Sequence, residues 1–150
     1  MEELETIKQV YGEQKATRSQ IPLINHIYEG LLILDVLDAS DKAKRAFCIH
    51  PIVQNNQLVD VSWSDALELA IEYKEKANSY LCNPVTDWVK TIDDIKKCVG
   101  GMSQDCRLML IADKYQNRKD FNIYHKATHQ RSQQLSAYFD LWIEYLENHF

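Results

Sequence analysis

The sequence predicts an all-α protein, a helical bundle of about six or seven helices. Three observations predict it. Apolar residues recur at helical spacing, as in Ile24, Ile27, Leu31 and Leu34. No segment alternates apolar and polar residues over the length of a strand. Glycine (4) and proline (3) are too scarce for the many tight turns of a sandwich or barrel. A length of 150 residues suits one domain, 1–150, around one core.

Each element follows from a local pattern. Residues 2–16 suit a short amphipathic helix, with Leu4, Ile7, Val10 and Tyr11 on one side. Pro22 sits where a first helical turn tolerates proline. The helix after it is apolar on nearly every side, as a central helix is, and Gly30 within it implies close approach by a neighbour. Ser40-Asp41 caps a short helix through Ala46, Phe47 and Cys48, and Pro51 is expected to end it within a turn or so. Ser62-Trp63-Ser64-Asp65 resembles a capping box opening a long helix to about Tyr80, with Leu67, Ala70, Ile71 and Lys74 on one side. Asn83-Pro84 then breaks the chain. A small helix from Thr91 to about Val99 stops at Gly100-Gly101. Another runs from near Ser103 to about Phe121. A last one, Gln130 to Asn148, turns Leu135, Tyr138, Phe139, Trp142 and Tyr145 inward.

Composition bounds the function. A net charge of -5, from 22 acidic and 17 basic residues, disfavours duplex DNA as a partner but leaves room for a local basic pocket. The longest strongly apolar stretch, Gly30 to Leu37, is interrupted by Asp35 and is too short to span a bilayer. The acidic start lacks the apolar run of a secretory signal. Cys48, Cys82, Cys98 and Cys106 form no Cys-x-x-Cys pair and are expected to be reduced thiols in a cytoplasmic protein.

Three polar residues stand at the edges of apolar runs. His26 follows Leu23 and Ile24, His50 follows Phe47, Cys48 and Ile49, and Asp113 follows Leu108 to Ala112. A polar group in such a place must be paired or must bind something. Taken singly, each could be a hydrogen-bonded core residue.

Taken together they resemble a known pattern. The stretch Arg18-Ser19-Gln20-Ile21-Pro22-Leu23-Ile24-Asn25-His26 is similar to the opening motif of the HD-domain phosphohydrolases, specifically the RelA/SpoT-type guanosine tetraphosphate hydrolases. Ala112-Asp113-Lys114-Tyr115-Gln116-Asn117-Arg118 resembles that family's late motif, Ala-Asp-Lys/Arg-x-x-Asn. The family's middle motif, His-Asp-x-x-Glu-Asp, falls on His50-Pro51-Ile52-Val53-Gln54-Asn55. The resemblance implies an HD-domain-like bundle in which His26, His50 and Asp113 are three of four ligands to a divalent metal, commonly manganese. The fourth ligand falls on Pro51, which has no ligand atom, and the catalytic acid pair falls on the amides Gln54 and Asn55.

Those exchanges have direct consequences. One ligand and one charge fewer weaken a hard-cation site. An amide takes no proton from water, so Gln54 and Asn55 cannot be the general base, but they can donate hydrogen bonds to phosphate. The resemblance further implies that Arg18 clamps a phosphate or stacks on a base, and that Lys114 and Asn117 reach phosphate and ribose. Arg118 is a weaker candidate for the same ligand.

Other residues extend the expected site. Lys74 and Asn78 share a face of the long helix, and Glu29, one turn past His26, is the nearest acid that could act as base or replacement ligand. His125 and His129 stand i, i+4, as zinc ligands can, but no third ligand follows at matching spacing. From Arg107 to Arg131 six bases face two acids, which suggests a second anion contact or a subunit interface in a homo-oligomer. The fuller pattern around His50-Pro51 and Asp113 to Phe121 resembles a divergent group from bacteria and phages, which in a phage setting implies sequestering of a signal nucleotide. The expected function is therefore binding of a phosphorylated nucleotide or nucleotide second messenger with little or no hydrolysis. The alternative is a metal-dependent nucleotide phosphohydrolase using His26, His50, Asp113 and Glu29.

Overall fold

The computed structural model describes residues 1–57, 64–79 and 91–148, with the side chains of Ser64, Asn78, Ser79 and Cys98 outside that description. Seven α-helices carry the described residues: α1 Glu2–Tyr11, α2 Ile24–Val36, α3 Asp41–Gln54, α4 Ser64–Ser79, α5 Ile92–Val99, α6 Gln104–Asp120 and α7 Ser132–Asn148. A π-helical turn, Phe121–His125, continues α6. No strand occurs among the described residues, and an isolated bridge pairs Lys15 with Pro22. The all-α bundle expected from the sequence is what the chain forms. Among the described residues, no helix is long and apolar enough to cross a membrane.

Local chemistry accounts for most of the boundaries. The hydroxyls of Ser40, Thr91 and Ser103 each accept a backbone N–H of the first turn of α3, α5 and α6, and Asp94 completes a capping box with Thr91. Gly100, at φ 65°, ends α5 in a conformation that costs glycine little. Gly12, at φ 52°, ends α1 at Tyr11, earlier than the expected 16. Ser62, Trp63 and the Asn83-Pro84 break lie outside the described residues.

Two expectations about packing need correction. The deepest helices are α3 and α6, not α2. α6 packs against α2, α3, α4 and α7, and it buries Asp113, Lys114 and Gln116 beside Met109, Leu110 and Ile111. On α2 only one face is covered, through Ile27, Gly30 and Leu34, while Leu32 and Val36 face solvent. On α4 the covered stripe is Ala66, Leu69, Ala70, Tyr73 and Ala77, with Ile71 exposed. As expected, α3 ends within a turn of Pro51, at Gln54, with the proline itself inside the helix.

Close approach at Gly30 holds. A Cβ there would overlap the Phe47 ring, so glycine is what lets α2 and α3 meet. That ring in turn touches both histidines, with centroids 5.6 Å from His26 and 4.6 Å from His50. The α2–α3 contact thereby sets where the two imidazoles stand relative to α6.

Candidate functional site

The fold brings His26 from the first turn of α2, His50 from α3 and Asp113 from α6 to one point. One ligand atom from each lies within 4.8 Å of the others. These three residues come from chain positions far apart, so their convergence is a product of the tertiary fold. They line a cavity of about 490 Å³ together with Tyr11, Gln54, Asn55, Tyr73, Lys114 and Asn117.

Asp113 is the electrostatic centre. His26 Nε2 is 3.1 Å from its Oδ1, and Lys114 Nζ is 3.5 Å from its Oδ2. Burial works against its charge, but the hydrogen bond from His26 and the nearby Lys114 hold its carboxyl well below the usual range. It is therefore a fixed anion and a poor proton acceptor.

His26 is held from both sides. Its Nδ1 meets the side-chain oxygen of Gln116. The Gln116 amide nitrogen donates to Glu29 Oε2 at 3.1 Å and to Asp120 Oδ2 at 2.7 Å. Two carboxylates accept only from N–H groups, so the amide can point only one way and its oxygen faces His26. Burial opposes a charge on His26, but Asp113 and Gln116 outweigh it and raise its pKa.

His50 is held differently. Its Nδ1 is 2.5 Å from the Phe47 carbonyl oxygen, while its Nε2 is 3.9 Å from Asp113 Oδ1, beyond hydrogen-bond reach. Burial, aided by the charge of His26, pushes its pKa down to about 4. It is a neutral imidazole with Nε2 toward the cavity and Nδ1–H on a carbonyl. Histidines that bind metals commonly have this arrangement.

Lys114 contradicts the solvated helix face usual for such a lysine. It is 6% exposed, and its ammonium lies 5.4 Å from the Tyr138 ring centroid and 5.1 Å from that of Trp142. Burial disfavours the charge, but Tyr138 and Asp113 raise its pKa, so the cavity keeps a permanent cation.

The remaining expected residues divide. Gln54, Asn55 and Asn117 line the cavity with the three central residues. Arg18 lines an adjoining cleft of about 410 Å³ with Phe121, His125, His129 and Phe139, which shares Ala16, Ser19, Asn117 and Asp120 with the main cavity. Its guanidinium donates to the Thr128 hydroxyl at 3.0 Å. Lys74 bonds Asn56 and does not line the cavity, and the side chain of Asn78 lies outside the described residues. Arg118 pairs with Asp140 at 3.0 Å and lies over the Tyr115 ring, away from the cavity. Glu29 is engaged by Lys119 at 2.5 Å and by Gln116, and it does not line the cavity either. His125 and His129 belong to no ligand cluster among the described residues.

Two residues of the site carry little signal of their role in the sequence. Gln116 and Tyr73 are each 1% exposed; Gln116 meets His26 Nδ1, and the Tyr73 ring packs on His50 with centroids 4.8 Å apart. Gln116 could have been found only from its i, i+3 relation to Asp113 on one helix face. No family model, no curated protein and no solved structure matches the chain.

Proposed function

We propose that the cavity binds a phosphorylated nucleotide or nucleotide second messenger, with little or no hydrolysis. The observation that carries this reading is the gathering of the buried cation Lys114 and the amides Gln54, Asn55 and Asn117 in one cavity whose acids are already engaged. Asp113 is bonded by His26 and Asp120 by Gln116. Ammonium and amide N–H groups suit phosphate oxygens, and engaged carboxylates neither repel them strongly nor take a proton from water. A volume of about 490 Å³ falls in the range of small-molecule sites. The adjoining cleft offers Phe121 and Phe139 to a flat ring and Arg18 to a second phosphate or to the base.

The residues present also fit a divalent metal such as manganese. His26 and His50 would give Nε2 and Asp113 an oxygen, a two-histidine, one-carboxylate set with positions left open. A bound metal would supply positive charge to phosphate oxygens. This fit favours a second reading, a metal-dependent phosphohydrolase. Glu29 does not reach the cavity, so in that case the carboxylate facing substrate would be Asp120, which lines it.

A melting-temperature panel of nucleotides and cyclic dinucleotides, with and without manganese, tests both. Ligand released by denaturation is then analysed for intactness. A raised melting temperature with intact ligand is expected. No shift with any nucleotide overturns the binding proposal. Turnover at enzyme-like rates that His26→Ala abolishes replaces it with the phosphohydrolase.

A further inference from the structure

Proline inside a helix is costly because it removes one backbone N–H and its ring crowds the carbonyl four residues earlier. Pro51 sits inside α3, so the carbonyl it leaves without a helical donor is that of Phe47. That same carbonyl lies 2.5 Å from His50 Nδ1. The vacancy in the helix ladder is therefore filled by the side chain of the residue just before the proline. Across the site Gln116 does the equivalent for His26: its amide is turned by Glu29 and Asp120 so that its oxygen faces Nδ1. Two unrelated devices, one backbone and one side chain, thus give the two histidines the same orientation.

We infer that Pro51 and Gln116 are positioning residues that fix His50 and His26 with Nδ1–H donating outward, so that both Nε2 atoms face Asp113. This rests on the reading of His26, His50 and Asp113 as a metal-holding set. On this account the proline at position 51 is not a lost ligand. It exchanges a possible fourth ligand for control of the neighbouring imidazole. With alanine there, the backbone N–H returns and competes for the Phe47 carbonyl, and His50 is free to move its proton to Nε2, where it would block a metal.

The experiment uses the full chain and its Pro51→Ala variant, with two readouts. Nitrogen-15 NMR of the metal-free proteins reports which imidazole nitrogen of His50 carries hydrogen. Visible absorption on titration with cobalt(II) alone reports affinity without any turnover. The expected result is a pure Nδ1–H form in the wild type, a mixture in Pro51→Ala, and cobalt affinity lower by about 10- to 100-fold, the usual effect of losing a partner behind a ligating histidine. The variant should melt no lower than the wild type, since it removes an interior helical proline. If it does melt early, Gln116→Leu read by cobalt titration alone decides the matter, with the same loss of affinity expected. An unchanged proton position or an unchanged cobalt affinity overturns the inference. A wild type that binds no cobalt instead overturns the metal reading beneath it.

Discussion

At the residue scale the decisive group is Lys114. Its ammonium is enclosed by Tyr138 and Trp142, close to Asp113, and still lines the cavity. Methionine would keep most of the stem packing and delete the charge. Lys114→Met is expected to weaken a phosphorylated ligand by tenfold or more, since a charge-assisted hydrogen bond contributes about 1.5–3 kcal/mol. Calorimetric titration checks it, and an unchanged dissociation constant removes Lys114 from the binding account. The burial of Lys114 was not legible in its own neighbourhood, because the rings that cover it come from α7. His26, His50 and Asp113 were legible because each interrupts an apolar run. Gln116 and Tyr73 were not, because an uncharged side chain in a helix declares no role until its partners are known. Arg118 and Lys74 looked suitable by charge alone, and each is satisfied elsewhere, by Asp140 and by Asn56.

At the scale of elements, Gly30 separates two opposing effects. Alanine in mid-helix is ordinarily better than glycine by up to about 1 kcal/mol. Here its Cβ would overlap the Phe47 ring, which has no room to move because it leans on both histidines. Gly30→Ala is therefore expected to destabilise by roughly 1–3 kcal/mol, the cost of overpacking. A urea midpoint equal to or above the wild type would show that the ring can shift freely. The helix order, the cap at Ser40, the helix starts at Thr91 and near Ser103, and the stop at Gly100 were all readable from local pattern. The end of α3 within a turn of Pro51 was readable too, and the proline is tolerated inside the helix because its orphaned carbonyl finds another donor, a side chain. Arg45 on α3 gathers Asp41 from its own helix, Glu3 from α1 and Asp65 from α4. Its bidentate pairing with Asp65 lowers that carboxyl from 3.8 to about 2. A carboxyl depressed in the folded state contributes stability above its ordinary pKa, and loses it as pH falls toward the folded value. Asp65→Asn should therefore flatten the acid limb of the stability–pH curve between about pH 4 and pH 2 and leave the slope above it unchanged. Denaturant midpoints across that range check it, and an acid limb as steep as in the wild type would show that the pair contributes nothing.

At the scale of the whole molecule, the net charge of -5 and a buried cation in the cavity are compatible because charge is sorted by place. Acids lie mostly on the surface, while Lys114 is buried and the two acids that line the cavity, Asp113 and Asp120, are each engaged by a partner. The same sorting argues that any metal at His26, His50 and Asp113 acts as a cross-link, because it would join α2, α3 and α6, whose ligands are scattered in the unfolded chain. A ligand that binds the folded state and not the unfolded one stabilises by mass action, about 2.7 kcal/mol at 100 times its dissociation constant. For a chain of this length that corresponds to a rise in melting temperature of roughly 5–11 °C. Manganese is expected to give such a rise in the wild type, and a chelator should reverse it. His50→Ala should remove it, since two ligands cannot hold the ion at the same concentration. Pro51→Ala should keep about half of it or less, because a tenfold weaker site retains about 1.4 of the 2.7 kcal/mol. A shift of equal size in His50→Ala would place the ion elsewhere on the protein. The two variants also separate causes: loss in both follows if orientation matters as well as ligand count, whereas loss in His50→Ala alone leaves Pro51 a matter of helix geometry and nothing more.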